Sequence, residues 1–209
     1  MTISFLAALA ACKAQESDYS FPEGLEPLAE NTAPWPDNMA EEVSYVIGED
    51  DDYHWAHARA YVHADIDTVY GCMREEMVNV DRREIESWST TSGSEGDYEF
   101  SYAIWNQSYP TFGVQVEYTD TWRHGSTQTK DGLIALVVSS WKMTDGNEYM
   151  YLKENSVVTE IADDGITSLD MVGHLSAALR DGETTAQYYI DFHEDLIACV
   201  NGTDYPTFD

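Results

Sequence analysis

A regular alternation of large and small side chains runs through residues 55–64, where Trp55, His57 and Arg59 are separated by alanines. Successive side chains of a β-strand point to opposite faces, so this pattern predicts a strand with one closely packed face. Asp65 follows and can cap a helix, because its carboxylate can accept a hydrogen bond from the first turn. The apolar residues after it recur at helical spacing and predict a short helix. They are Ile66, Val69, Tyr70, Met73 and Met77.

The next part of the chain alternates with a period of two, which predicts a series of strands. They lie at residues 86–92, 97–106, 114–123, 133–143, 148–161 and 165–178. A turn or a second short helix is expected before them, near residues 81–85. Gly, Asp, Asn and Pro occupy the connections, as hairpins require. Residues 183–201 then show helical spacing, and Gly202 supplies a stop signal.

The register of the last predicted hairpin follows from its turn. Asp163-Asp164-Gly165 suits a three-residue loop with the glycine in the left-handed conformation. A two-residue loop would instead set Glu160 against Leu169, which is less suited to a buried face. The three-residue loop predicts these cross-strand pairs: Ile161 with Thr167, Thr159 with Leu169, and Val157 with Met171.

The preceding hairpin can be treated in the same way. Thr144-Asp145-Gly146 as its turn predicts that Trp141 lies opposite Tyr149 and Ser139 opposite Tyr151. The two-residue alternative would turn Lys142 toward the same interior, so we reject it.

These registers place many apolar and aromatic side chains on one face of the sheet, which we expect to be the inner face. They are Val137, Trp141, Tyr149, Tyr151, Val157, Leu169 and Met171, and alternation elsewhere adds Phe100, Tyr102, Val116, Tyr118 and Trp122. Tyr and Trp combine a large apolar surface with a polar tip, the usual composition of a small-molecule pocket. A filled core without a cavity is the alternative.

The order of elements resembles the START-like superfamily, also called SRPBCC or the helix-grip fold. Residues 60–70 look like its first strand running into its first helix, and residues 185–200 look like its long last helix. The resemblance covers residues 55–201. It implies an α+β fold in which a curved antiparallel sheet of about seven strands wraps around the C-terminal helix. Two short helices follow strand 1, and a cavity lies between sheet and helix.

The resemblance implies a function as well as a fold. Members hold lipids, sterols, polyketides and other apolar molecules in this cavity; some are cyclases, others are co-chaperones, and the fold has no universal catalytic residues. We therefore expect a binding or carrier protein for an apolar or aromatic small molecule. The expected ligand contacts are Tyr102, Tyr118, Trp122, Trp141, Tyr149, Tyr151 and Met171 of the sheet, with Tyr189 and His193 of the last helix.

Two other functional classes stay open. One is a cyclase- or hydrolase-type enzyme that uses a cavity tyrosine, His193 or Asp120 as its acid–base group. The other is a protein-interaction module whose sheet recognises a partner. For His193 itself, a satisfied histidine at the helix–sheet interface is the alternative to a group that points into the cavity.

The beginning of the chain resembles a targeting signal. The segment MTISFLAALAAC is apolar, and its last four residues resemble the lipobox of bacterial lipoprotein signal peptides, in which Cys12 would carry the lipid. This resemblance implies a signal segment at residues 1–12 and an anchor in the bacterial cell envelope. A disordered start with an incidental cysteine is the alternative.

The charge of the chain limits its partners. It carries 39 Asp and Glu against 10 Lys and Arg, a formal net charge of -29, which repels nucleic acids and anionic lipid head groups. Prolines and acidic residues recur through residues 13–52, which we interpret as an acidic tether with a short ordered stretch near residues 39–46. The ligand-binding domain then occupies residues 53–209.

Metal and cofactor chemistry find no support in the pattern of residues. His57 and His63 share a strand face but lie roughly 20 Å apart along it, too far for one ion. The sequence contains no zinc-ligand spacing, no serine-hydrolase elbow and no phosphate-binding glycine loop. We expect no catalytic residues, no cofactor and no metal. His174, between Gly173 and Leu175, is expected to face solvent.

The remaining cysteines are Cys72 and Cys199. If Cys12 carries lipid, these two lie in an oxidising compartment, where pairing is expected when geometry allows. In the resembled fold the first short helix lies under the far end of the long helix, and the two cysteines belong to those elements. Two separately buried thiols are the alternative.

Overall fold

The computed structural model describes residues 25, 28–51, 53–92, 98–110, 113–128, 134–146, 150–177 and 180–207. For residues 92, 127–128, 134–146, 150–153 and 177 it describes the backbone alone.

The strands lie at β1 (Ser44–Glu49), β2 (His54–Val62), β3 (Ile85–Ser92), β4 (Phe100–Ser108), β5 (Glu117–Gln128), β6 (Ile134–Gly146), β7 (Met150–Asp163) and β8 (Ile166–Ala177). They form one antiparallel sheet in the order β1-β2-β8-β7-β6-β5-β4-β3. Every strand predicted from the sequence is present, as β2 to β8. The largest difference in position is at β5, for which we predict residues 114–123.

The helices are α1 (Ile66–Met73), α2 (Glu76–Asn79) and α3 (Gly182–Asn201). Asp65 caps α1 as predicted, because its Oδ1 accepts a 2.9 Å hydrogen bond from the Thr68 amide. Gly202 ends α3 in the left-handed conformation, with φ of 62°. The two short helices after β2 and the long C-terminal helix confirm the α+β helix-grip architecture. Near residues 81–85 the backbone forms a turn, and the second helix comes before it.

Strand β1 differs from the sequence interpretation, because it lies within the range that we assign to the tether. It pairs along its length with β2, so that Ser44 lies opposite Arg59 and Glu49 opposite His54. None of the side chains of β1 is fully buried. The strand is held mainly by its backbone pairing with β2. Because no side chain has to be fully buried, the hydrophobic pattern of the segment is weak, and the sequence alone does not predict the strand.

A segment just before β1 also belongs to the folded domain. Asn31 is buried, and its Nδ2 donates 2.7 Å hydrogen bonds to the carbonyl of Ala58 and to Oδ1 of Asp170. Arg59 in turn donates to the carbonyls of Asn31 and Ala33, and its guanidinium lies over the ring of Trp35 at 4.6 Å. This part of residues 13–52 therefore packs on β2 and β8.

The β7–β8 hairpin has the predicted register. Ile161 pairs with Thr167, Thr159 with Leu169 and Val157 with Met171. Gly165 takes the left-handed conformation, with φ of 69°. The turn residues and the buried face thus agree on one register.

The β6–β7 register is a correction to the prediction. Trp141 lies opposite Asn155 instead of Tyr149, and Ser139 lies opposite Val157 instead of Tyr151. Strand β6 continues through Gly146, so Thr144-Asp145-Gly146 is strand, not turn. The reason is that Gly146 pairs with Tyr118 of β5, so the neighbouring strand extends β6 past its own turn signal. The shift is even, so the backbone of Trp141 keeps its place on the face of Val157.

The core lies between the inner face of the sheet and the helices. Its fully buried large side chains include Trp122, Tyr189, Phe192, Met73, Ile104, Leu169, Met171 and Leu196. The Sγ atoms of Cys72 and Cys199 are bonded, with Cα atoms 5.8 Å apart, so a disulfide joins α1 to the end of α3.

Candidate functional site

An inner cavity lies between the sheet and the first half of α3. Its aromatic wall consists of Tyr118 of β5 with Tyr188 and Tyr189 of α3, and Leu175 of β8 adds an aliphatic surface. Its volume is about 30 Å³, room for a few water molecules. The cavity is therefore narrow, with tyrosine rings as its largest surfaces.

Gly173 explains how a helix tyrosine reaches this part of the sheet. A Cβ atom at this position would lie 2.4 Å from the Tyr189 hydroxyl, closer than any side chain tolerates. The hydroxyl instead donates a 2.5 Å hydrogen bond to Oδ1 of Asn155, which lies opposite Gly173 in the ladder. The absence of a side chain at Gly173 thus lets Tyr189 of α3 pack directly on the inner face of the sheet.

An outer cavity of about 300 Å³ adjoins the inner one, at the lower end of the volumes of small-molecule pockets. The two cavities share the wall residues Asp81, Glu84, Thr184 and Tyr188. The remaining wall of the outer cavity is polar and consists of Arg83, Glu183, Gln187 and Asp191. The outer cavity is therefore a charged space beside the tyrosine wall of the inner one.

Ion pairs connect the loop before β3 to the region of α3. Arg83 pairs with Asp191, and Arg180 pairs with Glu84. Burial raises the pKa of Asp191 to about 6, although Gln187 and Arg83 both act to lower it. The outer cavity thus contains a carboxyl group that titrates close to neutral pH.

The inner face of the sheet carries further polar groups in the core. Asn79 Nδ2 donates to the Tyr102 hydroxyl, and Asn106 Nδ2 donates to Oδ2 of Asp120 at 3.2 Å. Burial raises the pKa of Tyr118 well above its ordinary value, and the carboxylates of Asp120 and Asp81 raise it further. Tyr118 is therefore a neutral phenol.

The structure brings only some of the predicted ligand contacts to the cavities. Tyr118 and Tyr189 line the inner cavity. Tyr102, Trp122 and Met171 are buried in the core but lie outside the wall of either cavity. The side chains of Trp141, Tyr149 and Tyr151 fall outside the described residues, as does Cys12.

His193 is a correction. It is buried, and its Nε2 lies 2.9 Å from the carbonyl of Tyr61, so it ties α3 to β2 and does not line either cavity. His193 follows Phe192 on the buried side of α3, so its ring can reach the backbone of β2. His174 differs from the expectation of a solvent-facing residue: it is half-buried, and its ring stacks with those of Tyr53 and His57 at 6.1 and 6.2 Å.

His124 and Tyr188 are core and cavity residues that sequence reasoning missed. His124 is fully buried, and its ring lies 5.8 Å from that of Tyr102 and 6.2 Å from that of Trp122. The alternation that identifies Tyr118 and Trp122 continues to His124, so the signal was present. Tyr188 had no such signal, because it lies next to the buried stripe of the helix.

Within the described ranges, no group of three or more His, Cys, Asp and Glu side chains is arranged to hold a metal ion. Among the same residues, no helix has both the length and the apolar character needed to cross a membrane.

The comparisons with known proteins bear on the fold. No family model and no curated protein matches the sequence. A protein of Thermus thermophilus superposes with a TM-score of 0.51 at 12% identity, over 70% of this chain and 96% of that chain. The human StarD13 lipid transfer and protein localization domain superposes with a TM-score of 0.49 at 10% identity, over 86% of this chain and 88% of that chain. A START superfamily protein of Mycobacterium smegmatis superposes with a TM-score of 0.45 at 12% identity, over 71% of this chain and 94% of that chain.

The protein has the START-like, helix-grip fold. Identities of this size show the fold and nothing finer. In START-like terms, α3 is the gripping helix; the inner cavity lies between it and the sheet, and the outer cavity lies between it and the connection before β3. The edge strand β1 and the segment around Asn31 are additions to the layout that the sequence predicts.

Proposed function

We propose that this START-like domain binds an apolar or aromatic small molecule between the sheet and α3. The observation that carries the proposal is the wall of Tyr118, Tyr188 and Tyr189 next to a larger outer cavity. Tyrosine rings offer apolar faces at little cost in conformational entropy, and their hydroxyls can orient a ligand. Because the inner cavity is narrow, a ligand larger than a few waters requires α3 or the loop at Asp81 to move outward.

The proposal is tested with the neutral fluorescent probe N-phenyl-1-naphthylamine, whose emission rises in an apolar site. Tyr188 lines both cavities, so Tyr188→Ala should weaken probe binding about tenfold, the effect of about 1.4 kcal/mol of lost contact. Tyr109→Ala is the matched control, since Tyr109 is 50% exposed and lies outside both cavities. Absence of probe binding, or equal losses in both variants, would contradict the proposal.

The proposal includes a location. The lipobox-like residues at the start of the chain favour a lipid anchor at Cys12 in the bacterial cell envelope. A disulfide between Cys72 and Cys199 fits an oxidising compartment. Cells fed a fatty-acid analogue should label the full-length protein but not its Cys12→Ala variant. Equal labelling of both, or of neither, would remove the anchor and leave ligand binding unaffected.

A further inference from the structure

The charged groups around the two cavities are mostly acidic. Five carboxylates line them, from Asp81, Glu84, Glu154, Glu183 and Asp191. The two cationic side chains in the same walls are Arg83 and Arg180. Each of these arginines already pairs with one of the carboxylates. The walls therefore repel an anionic ligand and attract a cationic one.

Asp191 has an oxygen that none of the described groups satisfies. Its Oδ1 accepts hydrogen bonds from Arg83 Nη2 and, at 3.1 Å, from Gln187 Nε2. Its Oδ2 is buried and has no hydrogen-bond partner within the described part of the chain. The residue is 4% exposed and lines the outer cavity. A buried acceptor without a donor is rare in folded proteins, and a ligand donor would satisfy it.

Tyr188 places an aromatic ring close to this acceptor. It belongs to the walls of both cavities and lies three positions before Asp191 on α3, so both are on neighbouring parts of one helix face. An aromatic face attracts a cation through its quadrupole and also packs against apolar groups. It can therefore contact both parts of a molecule that has an apolar body and a charged end.

We infer that the ligand is an amphipathic amine whose ammonium group pairs with the carboxylate of Asp191 at the wall of the outer cavity, after a rotation of this side chain that exposes Oδ2. Its apolar or aromatic body extends past Tyr188 toward Tyr118 and Tyr189. This inference rests on the proposed function and adds the charge of the ligand and the position of its polar end.

Three fluorinated probes of similar shape test the charge, with binding followed by ¹⁹F NMR line broadening. They are 4-fluorophenethylamine, 1-fluoro-4-propylbenzene and 3-(4-fluorophenyl)propanoate, which are cationic, neutral and anionic at neutral pH. The cation should bind about tenfold more tightly than the neutral probe, and the anion should bind least. Measurements at about 0.3 M salt, where the Debye length is a few ångströms, screen the general negative charge of the protein.

Asp191→Asn tests the position, because it keeps the shape of the side chain and removes its charge. The variant should lose most of the preference for the cation, measured as the ratio of the affinities for the cationic and the neutral probe. Glu194→Gln is the matched control, an exposed carboxylate on the same helix, and should keep the preference. Binding of 1-fluoro-4-propylbenzene in all variants shows that both are folded around a competent cavity.

The outcomes separate the two proposals. If none of the probes binds, the proposed function fails. If the neutral probe binds and the cation binds no more tightly, the amine inference fails while the proposed function stands. A preference that Glu194→Gln reduces as much as Asp191→Asn would show attraction to the overall charge alone and would overturn the site at Asp191.

Discussion

At the scale of single residues, His124 is a histidine enclosed in the core. It is fully buried among aromatic rings, and burial lowers its pKa to about 3, with the charge of Arg74 acting in the same direction. The folded protein therefore holds His124 neutral, whereas the unfolded chain protonates it near its ordinary pKa of about 6.5. Stability from this group is fully present above pH 6.5 and is lost as the pH falls toward 3.

His124→Phe should make the protein less sensitive to acid. Phe keeps an aromatic ring beside Tyr102 and Trp122 and cannot bind a proton in the unfolded chain. The wild type should lose up to about 1.4 kcal/mol of unfolding free energy per pH unit through this one group. Urea unfolding at several pH values between about 7 and 4 measures the difference. His63→Phe, at an exposed position, is the control. Parallel pH curves for wild type and His124→Phe would contradict the prediction.

At the scale of elements, three contacts help to hold α3 in place. Gly173 of β8 allows the Tyr189 hydroxyl to approach the sheet, and the disulfide fixes the other end of the helix to α1. Between them, His193 bonds the carbonyl of Tyr61 in β2. The cavities lie near the Gly173 end, so this is where a change in packing should alter ligand access.

Gly173→Ala should displace Tyr189 and weaken the contact between α3 and β8. Overpacking of this kind costs typically about 1–3 kcal/mol of unfolding free energy. Gly71→Ala is the control, because a Cβ atom there meets nothing within 4 Å and lies in a helix, where alanine is favoured. Denaturant unfolding should show a loss for the first variant and no loss for the second. If the Gly173→Ala and Gly71→Ala variants are equally stable, the approach of Tyr189 to Gly173 is not tight.

Removal of the disulfide tests the other end. Cys72 and Cys199 are separated by 127 positions, and closing a loop of this length constrains the unfolded chain by roughly 4–5 kcal/mol in the entropy model. A Cys72→Ala, Cys199→Ala double variant should therefore unfold at markedly lower denaturant than the oxidised protein. Reductant should lower the wild type to a similar midpoint and leave the variant unchanged. A wild type that does not respond to reductant would contradict the pairing, as would two free thiols after denaturation of a protein that lacks Cys12.

At the scale of the whole molecule, charge is the dominant property. The formal net charge of -29 makes the compact state repel itself, and salt screens this repulsion over distances beyond about 10 Å at 0.1 M. The thermal midpoint of unfolding should rise as sodium chloride increases from about 0.01 M to about 0.5 M. Differential scanning calorimetry measures the midpoint. A midpoint that is constant or falls with salt would show that local ion pairs, such as Arg59 with Asp170, outweigh the general repulsion.

The sequence by itself determined the order and type of the elements, because strand and helix periods and turn residues act locally. It identified β2 to β8, the cap at Asp65 and the β7–β8 register. It also identified Tyr118 and Tyr189, whose positions follow from alternation and helical spacing. These signals lie within a few residues of the structure that they predict.

Only the tertiary structure decided which of these residues meet. The β6–β7 register depends on the pairing of β6 with β5, and β1 forms by adding to the edge of the sheet at β2. Neither feature could therefore be derived from the sequence of its own segment. Asp81 and Glu84 line the outer cavity from the connection between α2 and β3, and Asp191 lines it from α3. His193 turns away from the cavity because the carbonyl of Tyr61 is within its reach. Contacts between distant segments depend on how whole faces pack, which no local period records.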